Sequence, residues 1–270
     1  MARKSEKANP RLVQAVDRAL CILEALADNA EPITLSDLSA KVGLNISTVH
    51  RLLATMAEHD FVQQEPETNC YKLGLKVFKI GNAALYDLDL RALARPFLRE
   101  LVRLCNETVN LVVLDGQEVV YIDQVESTNI VKMIARIGER GPAHATAAGK
   151  MLLAGLPARE LERLLQDLLL PRLTDKTIAS IPELLQELDI IRQAGYSLDL
   201  GGTEEHVNCV AAPVFNHEGR VIAAISVSGP SMRVTPEMVE NVLVPLVTKA
   251  AEAVSHEIGF RGVTRMVGGD

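Results

Sequence analysis

The sequence predicts an α+β chain: a helical first part closed by one short hairpin, then a largely antiparallel sheet with helices attached. Two observations carry this. Apolar residues recur at helical spacing through most of the first 58 residues. Later, runs rich in Val and Ile flank Asp115-Gly116 and Asn216-His217-Glu218-Gly219, which read as hairpin turns. The length of 270 residues gives room for roughly two domains. Apolar residues at 48% and charged residues at 23% exclude a disordered, collagenous or disulfide-scaffold chain. The longest apolar run is five residues, Ala19–Leu23 and again Val221–Ile225, against about 20 for a membrane span. A membrane partner is not expected.

The elements follow in order. Leu12, Val13, Val16, Leu20, Leu23 and Leu26 mark a first helix over 12–27, broken by Asp28–Pro32. Thr34 is placed to cap a short helix through Lys41, which Gly43 ends. A third helix is expected from about Ser47 to Glu58. Phe61–Gln63 and Cys70–Leu73 read as two strands around the turn Glu65–Asn69, and Gly74 closes the unit. Lys76–Leu90 reads as a linker helix and 92–105 as an amphipathic one. Leu111–Leu114 and Val119–Ile122 form the first hairpin. Ile130–Arg136 is expected to add a strand, and Gly138–Pro142 reads as a loop. Helices are expected over about 146–154, 158–169 and 182–194. Val210–Phe215 and Arg220–Ser228 form the second hairpin. Thr235-Pro236 starts a last helix, which Pro245 should kink. The domain boundaries read from this are 11–74, 75–91 and 92–260.

Charge separates the two parts. Residues 1–80 hold 10 Lys/Arg and 10 Asp/Glu, whereas 81–270 hold 18 and 25, the source of the net −7. Arg3, Lys4, Lys7, Arg11 and Arg18 crowd the start, so this end can approach a polyanion that the rest repels. The four cysteines, Cys21, Cys70, Cys105 and Cys209, form no C-x-x-C pair. That excludes a zinc ribbon or a thioredoxin-like site and fits a reducing cytoplasm. Met1–Pro10 has no apolar stretch of the kind a secretory signal needs.

The sharpest local pattern is Leu35–Met56. Counting Leu35 as the first position of a helix-turn-helix, the apolar packing positions fall on Leu38, Val42, Leu44, Val49 and Leu52. The small residue falls on Ser39 and the turn glycine on Gly43. A generic helical hairpin shares the apolar spacing but not the small residue, the glycine and the following two-stranded wing. The second helix then enters a major groove of double-stranded DNA. Its outward positions Asn45, Ser47, Thr48, His50, Arg51 and Thr55 are the candidate contacts, with Lys72 at the wing base. Asn45 and Ser47 are equally placed to serve as helix caps, and His50 to face solvent. Arg51 is the strongest candidate. The wing tip, with Glu65 and Glu67, is acidic.

In the second part, Ala147 and Ala148 open a helix whose free N–H groups and dipole favour a carboxylate. Tight helix packing is the alternative use of such small residues. Ser226 and Ser228 share one face of a strand and need partners there, either a ligand or water and backbone. Leu111 and Met133 are expected among the apolar walls. Lys150 is left between steadying an anion and facing solvent.

The sequence resembles the isocitrate lyase regulator (IclR) family of bacterial transcription factors. The resemblance lies in Gln14-Ala-Val-Asp-Arg-Ala-Leu-Cys-Ile-Leu, Ser47-Thr-Val-His-Arg-Leu-Leu and Tyr71-Lys-Leu-Gly. It continues in His144-Ala-Thr-Ala-Ala-Gly-Lys, Gly195-Tyr-Ser-Leu-Asp, Cys209-Val-Ala-Ala-Pro-Val and Ala224-Ile-Ser-Val-Ser-Gly-Pro. These occur in the family's order from about residue 12 to 258. The resemblance implies an N-terminal winged helix-turn-helix, a linker helix and a GAF-like C-terminal effector domain with an antiparallel sheet. It implies dimers, often paired into tetramers, on pseudo-palindromic operators. It matches Ala147 and Ala148 to main-chain effector contacts, and Asp199 and Cys209 to the remaining polar pocket positions. The chain departs from the pattern at its acidic wing tip and at Gly201-Gly202.

The function expected is therefore a DNA-binding regulator, with repression the expected mode, controlled by a small carboxylate metabolite. No cofactor, metal or catalytic group is expected: His144, His206, Asp199 and Cys209 lack close metal spacing, and Ser226 lies mid-strand without a G-x-S-x-G elbow. The alternative from another class is a small-molecule enzyme with an appended helical domain.

Overall fold

The computed structural model describes residues 13–29, 31–85 and 90–262. The basic residues Arg3, Lys4, Lys7 and Arg11 and the end of the expected linker helix, 86–89, lie outside them. The chain divides into two compact units, Met1–Leu88 and Asp89–Asp270.

The first unit opens with α1 (Gln14–Ala27), α2 (Leu35–Val42) and α3 (Ile46–Glu58). Each boundary has a local cause. The Thr34 hydroxyl accepts from the Asp37 N–H to start α2. Gly43 ends it at φ 68°, a left-handed turn that a Cβ would strain. The Asn45 side chain then accepts from the Thr48 N–H to start α3. Leu38 and Val49 are fully buried between the helices, with Val42, Leu44 and Leu52 packed partly buried around them. The small residue, Ser39, is buried and its hydroxyl donates to the Leu44 carbonyl, tying the turn. β1 (Val62–Gln64) and β2 (Tyr71–Leu73) form the antiparallel wing, and Ile33 pairs with Tyr71 on its outer edge. α4 (Leu75–Leu85) follows.

The second unit begins with α5 (Leu90–Cys105), β3 (Thr108–Asp115) and β4 (Glu118–Val125). β5 (Arg140–Pro142), α6 (Ala147–Ala154), α7 (Ala158–Gln166) and α8 (Ile181–Ala194) come next. The chain then runs through β6 (Ser197–Leu200), β7 (Val207–Phe215) and β8 (Val221–Pro230). It closes on α9 (Pro236–Met238), a π turn (Val239–Leu243) and α10 (Val244–Glu257). The six strands are antiparallel in the order β5-β4-β3-β8-β7-β6.

Strand alternation sends side chains to two different cores. Val109, Leu111, Val210, Ala212, Ile225 and Val227 face α5 and α10. Val112, Ala211 and Ala224 face α6 and α8. Leu111 is therefore not a wall of the proposed pocket; its neighbours Asn110 and Val112 point that way. The expected strand Ile130–Arg136 is absent. β5 takes the sheet edge instead, pairing with Glu118–Val120, and 130–136 crosses without strand structure. Side chains hold its backbone: the Thr108 hydroxyl donates to the Met133 carbonyl at 2.7 Å, and Arg233 donates to the Val131 carbonyl at 2.8 Å. β6 appears where no strand was expected. Pro245 stands at the start of α10, just after the π turn, where the Val244 N–H reaches back to the Val239 carbonyl.

Candidate DNA-reading helix and effector site

α3 buries Val49, Leu53 and Met56, one face at helical spacing. Ser47, His50, Arg51 and Thr55 are consequently exposed, and Thr48 is half-buried. Not all their polar atoms are free. The Asn45 side-chain Oδ1 receives both the Thr48 N–H and the Ser47 hydroxyl, each at 2.9 Å. The Thr55 hydroxyl donates to the Arg51 carbonyl. Lys72 sits 2.7 Å from Glu65 across the wing and, with Thr68, holds that carboxyl below its ordinary value. Ile46, exposed at the first turn of α3, is an outward residue that apolar spacing had hidden.

In the second unit a cavity opens between the α6 face of the sheet and the start of α6. It encloses about 90 Å³, room for several waters or one small acid. All six residues expected at an effector site, Ala147, Ala148, Asp199, Cys209, Ser226 and Ser228, line it. Thr146 caps α6 by accepting from the Gly149 N–H, and the Ser197 hydroxyl fixes the Ala147 carbonyl to β6 at 2.6 Å. First-turn geometry leaves the Ala147 and Ala148 N–H groups without intrahelical acceptors. Gly149 lets the helix approach: a Cβ there would lie 2.3 Å from the Ala143 carbonyl oxygen.

The opposite wall is the sheet. Ser226 pairs in register with Asn110 on β3 and Ala211 on β7, so its hydroxyl faces the cavity. Asn110, Tyr121, Gln124 and Thr203 also line it, none of them singled out from the sequence. Asn110 was hidden because the strand begins at Thr108, three residues before the apolar run suggests. Gln124 was hidden behind a bulge between Leu111 and Val112 that changes the phase of β4.

Asp199 is buried and largely committed. Its Oδ1 accepts the Gly202 N–H at 2.6 Å and the Thr203 N–H at 3.3 Å, and its Oδ2 accepts the Thr203 hydroxyl at 2.5 Å. Burial pushes the carboxyl above its ordinary value, against the pull of these bonds and of Lys150. The Cys209 thiol is pushed up to about 12 by burial, with Asp199 adding, so it remains a thiol at neutral pH. Burial likewise raises the Tyr121 phenol. Lys150 neither faces solvent nor lines the cavity: it is buried, and its Nζ is paired with the Glu187 carboxylate on α8 at 2.7 Å. His144 Nε2 lies 3.2 Å from the Pro171 carbonyl, not on Ser226. Among the described residues no three His, Cys, Asp or Glu side chains converge as a metal set would, and no helix is long and apolar enough to cross a membrane.

Two family models match the chain. The IclR helix-turn-helix domain matches residues 15–66, and the bacterial transcriptional regulator IclR C-terminal domain matches residues 82–256. The chain belongs to the IclR family. It is 39% identical to the HTH-type transcriptional regulator XynR of Escherichia coli over 249 residues, 92% of this chain and 98% of that protein. It is equally identical to the HTH-type transcriptional repressor AllR of Klebsiella pneumoniae over 251 residues, 92% and 91% of the two chains. A crystal structure of an IclR homologue from Microbacterium hydrocarbonoxydans in complex with 4-hydroxybenzoate superposes with a TM-score of 0.78 at 26% identity. That match covers 90% of this chain and 98% of the other. The chain is thus an IclR-type transcriptional regulator whose helix-turn-helix takes DNA as its partner. Nothing in these relatives supports the alternative of an enzyme with an appended helical domain.

Proposed function

We propose that this IclR-family chain is a cytoplasmic repressor released from its operator by a small carboxylate held in the second unit. One observation carries the ligand half: the cavity joins two N–H groups at the start of α6 to a polar face of the sheet. Helix N-termini favour anions through their free N–H groups and dipole. Ala147 and Ala148 supply those main-chain contacts, while Ser226, Ser228, Asp199 and Cys209 shape the rest. The homologue holding 4-hydroxybenzoate supports a small acid as ligand, and relatives named as repressors support the mode.

On the DNA side, α3 lies in the major groove. Arg51 is the principal base contact, with Asn45, Ser47, Thr48, His50 and Thr55 around it and Lys72 beside the backbone. Asn45 is committed as a cap, so its amide N–H₂ is the part offered to a base. The chain acts as a dimer or a pair of dimers, with 11–74 as DNA-binding domain, 75–91 as linker and 92–260 as effector domain.

The test is calorimetry of the full chain against short keto acids, hydroxy acids and aromatic acids. Saturable binding of one acid, lost in Ser226→Ala or weakened at least tenfold, is expected. Binding that survives Ser226→Ala unchanged would remove the sheet face from the site.

A further inference from the structure

We infer that Ile46, the first residue of α3, reads the C5-methyl group of a thymine in each operator half-site. The inference rests on α3 lying in the major groove and adds a base that the helix selects and the residue that selects it.

Apolar spacing puts Ile46 in line with Val49, Leu53 and Met56, the stripe that α3 buries. Those three are 0%, 0% and 8% exposed, whereas Ile46 is 52% exposed. It also stands outside the apolar cluster that joins α1, α2, α3 and the wing. The stripe thus continues one turn beyond the core, and its first member is left open. Among the described residues of α2 and α3, Ile46 is the one large apolar side chain so exposed. Helix propensity gives no reason for it, since a β-branched residue at an open helix position is worse than Ala or Lys.

A lone exposed isoleucine on a protein surface carries no meaning by itself. Its position gives it one here. The first residues of the second helix of a helix-turn-helix are those that meet base edges in the major groove. On those edges thymine alone presents a methyl group, and an apolar side chain is what contacts it.

The neighbours narrow the choice. Asn45 and Ser47 flank Ile46, and both are exposed. The Asn45 Oδ1 accepts the Thr48 N–H and the Ser47 hydroxyl, each at 2.9 Å, so both acceptor sites of that oxygen are filled. An asparagine reads adenine by accepting from N6 while donating to N7. Asn45 retains only its N–H donors and cannot do both. Donors suit the thymine O4 or the guanine O6 and N7, and of these bases only thymine adds a methyl. Cytosine presents a donor where thymine presents O4, and meets the Asn45 amide badly. The tip of α3 therefore sets an N–H donor next to an apolar side chain, the complement of thymine's acceptor and methyl.

The experiment exchanges each thymine in turn for deoxyuridine, which removes the methyl and leaves O4. The duplex is the one recovered from random DNA by selection with the full chain. Fluorescence anisotropy gives its affinity for wild type, Ile46→Ala, Ile46→Val and Arg51→Ala, with thermal melting confirming each fold. One methyl buried in a contact is worth about fourfold in affinity, so exchange at one position in both half-sites should weaken wild-type binding by about tenfold or more. Ile46→Val should keep most of that loss, and Ile46→Ala should abolish most of it, because its contact is already gone. If Arg51→Ala weakens binding but no thymine shows a loss, or the loss is as large in Ile46→Ala as in wild type, the inference fails while the placement of α3 stands. If the selection enriches no sequence, or Arg51→Ala and Ile46→Ala both bind as wild type does, the placement of α3 fails and the inference with it.

Discussion

Asn45 caps α3 and Arg51 lies six residues further along it, and their side chains do different physical work. Asn45 satisfies the Thr48 N–H and the Ser47 hydroxyl, so Asn45→Ala should lower the stability of the first unit by about 1 kcal/mol. Arg51 is exposed, so Arg51→Ala should leave melting unchanged and weaken specific operator binding by about 1–3 kcal/mol. Denaturant melts and fluorescence anisotropy on the same two variants separate the effects; an Arg51→Ala protein with wild-type affinity removes that contact. His144 gives a pH prediction. It is buried, burial holds its imidazole below the ordinary value, and Nδ1 has no hydrogen-bond partner among the described residues. The unfolded chain therefore takes up a proton in the ordinary histidine range that the folded chain refuses. Stability from this group is present above that range and is lost as pH falls through it. Thermal melts between pH 7.5 and 5.5 should show a steeper loss in wild type than in His144→Gln; equal slopes contradict this.

At the scale of elements, α6 is placed by small residues and caps. Gly149→Ala would drive a Cβ into the Ala143 backbone, so it should cost about 3 kcal/mol and abolish acid binding. The start of α5 depends on one buried carboxylate. Asp123, on the far face of β4 from the cavity, accepts from Arg95 at 2.6 Å with Arg91 at 3.7 Å, and its Oδ2 has no hydrogen-bond partner among the described residues. Arg95→Ala leaves that charge poorly paired and should destabilise the second unit by about 3 kcal/mol, read in urea melts. Arg95→Lys should recover much of the loss. Most helix limits were legible because a cap or a glycine stands at them: Thr34, Gly43 and Thr235 act as their types imply. The strands were harder. β6 carries an aspartate, a residue depleted in strands, whose side chain instead pins the turn that follows. Ile130–Arg136 has strand-like residues, but β5 takes the place beside β4 that it was expected to fill. A one-residue bulge in β4 decides which side chains reach the cavity, and no local pattern announces it. That bulge hid Gln124, and the early start of β3 hid Asn110, whereas the cavity residues carried by family motifs were found.

At the scale of the molecule, the acidic balance of residues 81–270 should disfavour DNA contact outside the first unit. A dimer presenting two copies of α3 should select pseudo-palindromes with half-site centres about 10 base pairs apart or a multiple of that. Binding selection from random DNA followed by sequencing checks this; unrepeated half-sites contradict the dimeric reading. The ligand can act only by binding one arrangement of the molecule better than another. The measurement that bears most directly on the account is operator affinity of the full chain with and without an acid that calorimetry shows to be saturating. The account predicts that the acid weakens operator binding by about tenfold or more, within the usual range of coupling between sites. Operator affinity unchanged at full occupancy of the cavity would contradict it.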